Sequence, residues 1–296
     1  MIVNRQGEVL VKDDAKKSQK FLYRTFLGRV LLKILTRPFV SRLVGKYKSG
    51  RASARGVKKF IAKNRIDMSD YEDREYTSFN DFFTRKIKDG ARTTDFTPAS
   101  LIAPCDGKLT VYTADEKGVY SIKNSYYDIA DITGKENAAK FYGGTLLVFR
   151  LTVDDFHRYS FFDGGTAEET VKIKGELHTV NPIAMERYKV FSKNAREYTL
   201  LHTDNFGDAV FAEIGALMVG KLVNSGKREF SRGEEKGYFE FGGSTVIVVL
   251  GKGAVTIDGD ILKNSADGNE TKVRLGEKIG EKAGVTAGER SEKSAR

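Results

Sequence analysis

Phe241-Gly242-Gly243-Ser244-Thr245 runs directly into Val246-Ile247-Val248-Val249-Leu250, and this stretch decides how the rest of the chain is read. Five consecutive β-branched or leucine residues after a glycine pair read as a buried strand entered through a tight turn. The glycines give the backbone the freedom that a sharp bend needs. They also place the Gly243 carbonyl beside the Ser244 hydroxyl, an arrangement that suits a serine attacking its own preceding peptide bond. Alone the tetrapeptide is not specific, because glycine turns before strands usually only turn.

Working outward, short apolar runs alternate with glycine turns from about residue 100: Lys108–Thr113, Gly144–Leu151, Thr170–Ile173, Ala209–Val223 and Thr245–Leu250. That texture predicts a β-rich body. Asp163-Gly164-Gly165 and Asp258-Gly259-Asp260 read as turns, and Lys263 to Glu270 as a polar loop. Before residue 100 the pattern is helical. Residues 20–44 read as a helix ended or kinked near Pro38, and residues 55–64 as another. Ser78-Phe79-Asn80-Asp81-Phe82-Phe83-Thr84-Arg85 reads as a short capped helix with Ser78 as N-cap, and its three phenylalanines read as packing. The fold class is α+β, with a helical, basic N-terminal region (1–75), a β-rich catalytic body (76–280) and a mobile polar tail (281–296).

The 296 residues carry a formal net charge of +10 and are 40% hydrophobic, enough for a sizeable core. Residues 1–60 hold 16 Lys and Arg against 3 Asp and Glu, so all the excess positive charge lies there. Such a segment meets nucleic acid, anionic lipid or nothing. No stretch approaches the ~20 apolar residues of a membrane span, and no cleavable signal peptide is visible. The single cysteine, Cys105, excludes an intrachain disulfide and reads as a small buried side chain. No Cys/His metal-ligand spacing and no RNA-binding aromatic motif are evident, so neither a metal nor nucleic acid is expected. In the 20–44 segment, Phe21, Leu22, Phe26, Leu27, Val30, Leu31, Ile34 and Leu35 supply apolar surface beside a basic stripe of Arg29, Lys33 and Arg37. Lys20 and Arg24 fall within the apolar arc, where long basic side chains can snorkel. The segment is expected to lie on an anionic membrane surface; its bland reading is a helix docked on its own domain.

Three further segments join Phe241–Thr245: Ala103-Pro104-Cys105-Asp106-Gly107-Lys108, Val153-Asp154-Asp155-Phe156-His157-Arg158-Tyr159 and His178-Thr179-Val180-Asn181-Pro182. With Glu213–Gly220 and Val273–Gly280, in this order and spacing, they resemble the phosphatidylserine decarboxylases. The resemblance runs from about Tyr76 to Gly280. It implies self-cleavage of the Gly243-Ser244 bond and conversion of Ser244 into a pyruvoyl cofactor, with fragments 1–243 and 244–296 staying together. It also implies decarboxylation of phosphatidylserine to phosphatidylethanolamine by a peripheral enzyme on the cytoplasmic face of a membrane. A homodimer is compatible with this reading.

By the same resemblance Asp106 orients the base for Ser244; without it, Asp106-Gly107 reads as an Asx-turn. The family often carries His-Arg-X-His, the first histidine linked to decarboxylation and the second to self-cleavage. Here the segment is His157-Arg158-Tyr159-Ser160, so His157 matches the first position and Ser160 replaces the second. Either His157 does both jobs, or His178 supplies the missing imidazole; the preferred auxiliary base is His178. His202 reads as an ordinary strand or turn histidine. Two other readings stand beside this one: a pyruvoyl-dependent decarboxylase of a soluble amino acid, and a non-enzymatic relative binding lipid or nucleic acid through its basic N-terminus.

Overall fold

The computed structural model describes residues 1–12, 15–122, 125–217, 221–242 and 244–284. Gly243, on one side of the candidate scissile bond, lies outside them, as do Met218–Gly220 of a family-like segment and residues 285–296 of the polar tail. The chain opens with two short strands, β1 (Ile2–Val3) and β2 (Val9–Val11), so its first 75 residues are not wholly helical. Helices α1 (Lys17–Arg24), α2 (Phe26–Leu35), α3 (Pro38–Ser49), α4 (Val57–Asn64) and α5 (Phe79–Phe83) follow. The 20–44 segment breaks twice. At Thr25 the side chain accepts a bond from Gly28 N (3.0 Å) and starts a new helix; Pro38 takes the first position of α3, where its missing N–H costs nothing. Ser78 caps α5, its Oγ accepting from Asp81 N at 3.0 Å.

The body holds β3 (Ser100–Ile102), β4 (Gly107–Thr113), β5 (Val119–Ile122), β6 (Ser125–Asp128), β7 (Thr145–Leu151), β8 (Arg158–Ser160), β9 (Gly165–Ala167), β10 (Val171–Ile173), β11 (Arg196–Thr203) and β12 (Gly207–Gly215). After them come β13 (Leu222–Asn224), β14 (Glu229–Phe230), β15 (Glu235–Phe239), β16 (Ser244–Leu250), β17 (Val255–Ile257), β18 (Glu270–Val273) and β19 (Lys278–Lys282). The main sheet runs β14-β9-β11-β12-β16-β7-β4-β18-β1-β2, with β10 also on β11. The run Ala209–Val223 is therefore two strands, β12 and β13, in different sheets. Lys263–Glu270 is not a loop: a helix, Gly259–Ala266, occupies its first half. Ile261 is fully buried there, and Ser265 Oγ accepts from Val111 N of β4 at 3.0 Å. These contacts hold a polar segment against the sheet.

Strand β16 lies between β12 and β7, joined to each through seven registered pairs. Successive side chains alternate faces. Thr245, Ile247 and Val249 look toward one side, where the two valine and isoleucine side chains pack with Val210, Ile214, Ile183 and Tyr23. Ser244, Val246, Val248 and Leu250 look toward the other, where the apolar members pack with Phe149, Phe211, Phe161 and Ile261. Layers on both faces explain why the run is apolar without alternation. Ser244 is its first residue, and the whole strand is buried.

Candidate functional site

The turn before β16 is held from three sides. Asn80 of α5 accepts a bond from Phe241 N through its Oδ1 at 2.9 Å. The Phe241 ring packs edge-on against Phe79 and Phe83, centroids 4.9 and 5.4 Å away. Gly242 has φ +141°, a conformation an L side chain rarely adopts. Across the pairing, Gly215 lies opposite Ser244; a Cβ there would meet Leu177 Cδ2 at 3.0 Å and the Ala195 carbonyl at 3.1 Å. A Cβ at position 215 would therefore be a tight fit at the strand entrance.

Ser244 and His157 meet. Ser244 Oγ is 3.2 Å from His157 Nδ1, and His157 Nε2 is 2.9 Å from the Thr152 carbonyl oxygen. A carbonyl only accepts, so Nε2 carries the hydrogen and Nδ1 offers its lone pair to the serine hydroxyl. Both residues are fully buried. Burial first, and the charge of Arg85 second, push the His157 imidazole down to about 3 against the opposing pull of the Thr152 carbonyl. His157 is therefore neutral across the physiological range and free to accept a proton. Phe83 covers its ring at a centroid distance of 4.0 Å.

The Thr152 carbonyl is itself fixed. Asp155 Oδ2 accepts from Thr152 N at 2.6 Å and from Lys108 Nζ at 2.5 Å, in a pair 4% exposed on both sides. Burial pushes the Asp155 carboxyl upward and the Lys108 charge opposes that. Lys108 also bonds the Thr152 hydroxyl. A buried ion pair thus clamps the tight turn whose carbonyl sets the tautomer of His157. Thr152 carried no such signal in the sequence, and Lys108 and Asp155 stood out only as parts of family-like segments.

Asp106 is not brought onto His157 or Ser244 by the structure. Its Oδ2 takes Arg92 Nη2 at 3.0 Å and its Oδ1 takes Leu275 N at 2.8 Å; neither His157 nor Ser244 is among its described partners. Ser160 N donates to the Pro104 carbonyl at 2.8 Å, so β8 brings position 160 beside the Pro104–Asp106 turn. With serine there, no imidazole is available to Asp106, and Arg92 takes the carboxylate. His178 does not have Ser244 among its described partners either. Its Nε2 meets Glu176 at 2.9 Å, its Nδ1 lies 3.4 Å from Tyr23 Oη, and its ring stacks on Tyr188 at 4.2 Å. It fastens α1 to the body. Cys105 is buried and burial raises its thiol well above the usual range, so it is no nucleophile. His202 is an exposed strand histidine beside Asp208 and Glu168.

A cavity of about 360 Å³ adjoins the turn and is lined by Phe241, Gly242, Leu151, Thr152, Leu217 and Lys272 among others. A larger one, about 870 Å³, lies between α4 and residues 68–76 and touches neither Ser244 nor His157. The smaller cavity does not reach Ser244 or His157 either, but it touches Phe241 and Gly242 of the turn and Thr152, whose carbonyl holds His157. A serine hydroxyl on a neutral, buried imidazole, directly after a glycine turn, is equipped for attack on a neighbouring carbonyl.

Comparison with known proteins agrees with this reading. The family model for phosphatidylserine decarboxylase matches residues 79–281. The chain is 47% identical to phosphatidylserine decarboxylase proenzyme 2 of Clostridium acetobutylicum over 285 residues, 95% of this chain and 98% of the relative. It is 42% identical to the phosphatidylserine decarboxylase proenzyme of Ruminiclostridium cellulolyticum, covering 88% of this chain and 89% of the relative. The corresponding Clostridium botulinum proenzyme is 41% identical, over 90% and 92%. A buried Ser-His pair at the mouth of a glycine turn, and likeness along nearly the whole length of three proenzymes, place this chain in the phosphatidylserine decarboxylase family.

Proposed function

We propose that this chain is a proenzyme that cleaves its own Gly243-Ser244 bond and then decarboxylates phosphatidylserine to phosphatidylethanolamine and CO2. The observation that carries the reading is the Ser244 Oγ–His157 Nδ1 contact at 3.2 Å with Nε2 tied to the Thr152 carbonyl. His157 Nδ1 takes the Ser244 hydroxyl proton as Oγ attacks the Gly243 carbonyl carbon. The peptide C–N bond breaks as the ester forms, and the nitrogen leaves with a proton. Loss of the Ser244 α-proton then expels residue 243 as a carboxylate and leaves a dehydroalanine. Hydrolysis releases ammonia, and a pyruvoyl group heads the fragment 244–296.

The residues present fit that group. Ser244 is the only source it needs, it opens a strand, and a cavity reaches Gly242, two residues before it. At the head of β16, Ser244 would hold that group, which would supply an electrophilic carbonyl for the substrate amine and an electron sink for the loss of CO2. His157 remains within reach to hold or return a proton at the substrate carbon. One imidazole therefore serves both stages, the alternative that the missing histidine at position 160 left open.

The substrate's acyl chains meet the helical layer. Phe26 (77% exposed), Leu27 (68%), Leu43 (60%) and Tyr47 (64%) stand in solvent on α2 and α3, among Arg29, Lys33, Arg37 and Arg42. Apolar side chains amid lysines and arginines suit the headgroup region of an anionic bilayer. No helix among the described residues is long and apolar enough to cross a membrane. We place the enzyme peripherally, on the cytoplasmic face.

The test is the mass of the purified chain under denaturing conditions, with Ser244→Ala as control. Wild type is expected as fragments of roughly 27 and 6 kDa, in proportion to the 33.0 kDa chain, the smaller blocked by a pyruvoyl group. Ser244→Ala stays whole and releases no CO2 from phosphatidylserine vesicles. A wild-type chain that stays whole sinks the proposal. A cleaved chain that decarboxylates free serine in preference to the lipid favours the soluble-substrate reading.

A further inference from the structure

Three cations stand in one row across the sheet. Lys272 of β18 is registered directly opposite Lys108 of β4, and Lys108 directly opposite Arg150 of β7. Arg150 in turn faces Thr245 of β16, the residue after Ser244. Directly paired residues share a face, so all four side chains lie on one side of the sheet. Like charges directly opposite one another are unfavourable, and an anion bound among them relieves the repulsion. Lys272, Lys108 and Arg150 all line the 360 Å³ cavity that reaches Gly242.

Two of the three are balanced. Lys108 holds Asp155 at 2.5 Å, with Asp154 at 3.6 Å, and Arg150 Nε holds Glu270 at 2.7 Å. Lys272 is exposed and makes no ion pair within 4 Å among the described residues. Burial raises the neighbouring Asp154 carboxyl, yet Lys108 and the Thr152 hydroxyl, with Lys272 adding a smaller pull, hold it below the usual range. Lys16, the residue that precedes α1, reaches the same cavity, and its Nζ lies 3.4 Å from Asn64 Oδ1. The inner end of the row is also incomplete: Thr245 Oγ1 is fully buried and has no hydrogen-bond partner among the described residues. A buried hydroxyl of that kind marks a place that accepts a polar group.

The cavity changes character along its length. Its floor is the cationic row, and its rim carries Leu10 and Val11 of β2, both exposed. Resting on the decarboxylase reading above, we propose that the Lys272–Lys108–Arg150 row is the subsite for the phosphodiester of a glycerophospholipid headgroup. Lys272 supplies the direct contact, while Lys108 and Arg150, held by their carboxylates, set the field. The glycerol carbons then leave along Leu10 and Val11 toward the lipid surface. The surplus lysine matches the single negative charge of a phosphodiester, and the row begins one residue from the serine that would carry the reaction.

The experiment uses the self-cleaved enzyme and dihexanoyl-phosphatidylserine kept monomeric, so no bilayer charge enters. Lys272→Gln is expected to raise KM about tenfold, the worth of one charge-assisted hydrogen bond at an open site, with kcat little changed. Lys272→Glu raises KM further and Lys272→Arg restores most of it. Inorganic phosphate competes with the lipid in wild type and much less in Lys272→Gln; a free-phosphate site unrelated to substrate would inhibit without competing. KM unchanged in both Lys272→Gln and Lys272→Glu, or phosphate inhibition identical in wild type and Lys272→Gln, overturns the subsite alone. Wild-type enzyme that is fully cleaved yet inactive on this lipid overturns the substrate reading, and the subsite with it.

Discussion

The two ends of this molecule use the same kinds of residue for opposite purposes. Around Ser244, valine, leucine and phenylalanine are sealed: Val246, Ile247, Phe83 and Phe149 are fully buried. On α2 and α3, phenylalanine and leucine stand out in water: Phe26, Leu27, Phe39 and Leu43 are each more than half exposed. Apolar content therefore says nothing about role until the neighbours are known. In the first region it desolvates an imidazole and keeps it neutral; in the second it is exposed surface, the face that the proposed membrane contact would cover.

The sharpest way to break this contrast is to remove the desolvated base. His157→Ala is expected to slow self-cleavage by about 100-fold or more, as loss of a general base does, read as the decay of the 33.0 kDa band with time. In wild type the cleavage rate should be flat between about pH 5 and 8, because a group titrating near 3 is neutral throughout. A rate that falls with a midpoint near 6.5 would show that some other, solvated histidine is the base.

Next in size is the clamp behind that histidine. Asp155→Ala leaves the Lys108 ammonium buried without its carboxylate, a change that costs about 3–5 kcal/mol in comparable pairs. Denaturant unfolding of the uncleaved Ser244→Ala chain, with and without Asp155→Ala, measures it. A loss under about 1 kcal/mol would mean that water reaches Lys108 and the turn is not sealed.

The exposed face gives a smaller and opposite signature. Replacing Phe26, Leu27 and Ile34 together with serine should weaken binding to anionic vesicles at least about tenfold, from the apolar area withdrawn from the bilayer. Stability should stay within about 0.5 kcal/mol per site, since these side chains cover little of the core. A large fall in melting temperature instead would show that the face packs on protein. Smallest of all is the effect of His178→Ala on chemistry. It loosens α1 through Tyr23 and Glu176 and should lower the melting temperature, while cleavage proceeds at the wild-type rate. Slowed cleavage without destabilisation would return His178 to the site.

Much of this was legible before any coordinates. The run after Gly243 announced a buried strand, and Ser244 and His157 were each singled out from motifs, although His178 was preferred as the base for the serine. Ser160 in place of histidine flagged where this chain departs from the family pattern, and there Asp106 bonds Arg92. Other features had no local signal. Lys272, Lys108 and Arg150 lie far apart in sequence, and only the order of strands sets them side by side. The Thr152 carbonyl is backbone, invisible to any reading of side chains. Residues 259–266 look polar because their single inward face rests on Ile261, Asn264 and Ser265, too few apolar positions to show a period. Thr25, by contrast, did carry a cap signal that could have divided the helix.

The place of β16 between β12 and β7 changes what the word molecule means for this protein. Beyond it, β18 is wedged between β1 and β4, and β19 between β17 and β3. A chain cut at 243–244 is therefore two polypeptides woven through one another, with the shorter supplying interior strands of the longer. Before the cut, unfolding is a first-order event that the chain can reverse alone. After it, recovery requires two separate partners to find each other, so the melting point rises with concentration and dilution alone favours loss. Scission thus converts a reversible fold into an obligate complex, and the order of events matters: the sheet must be complete before the bond is broken.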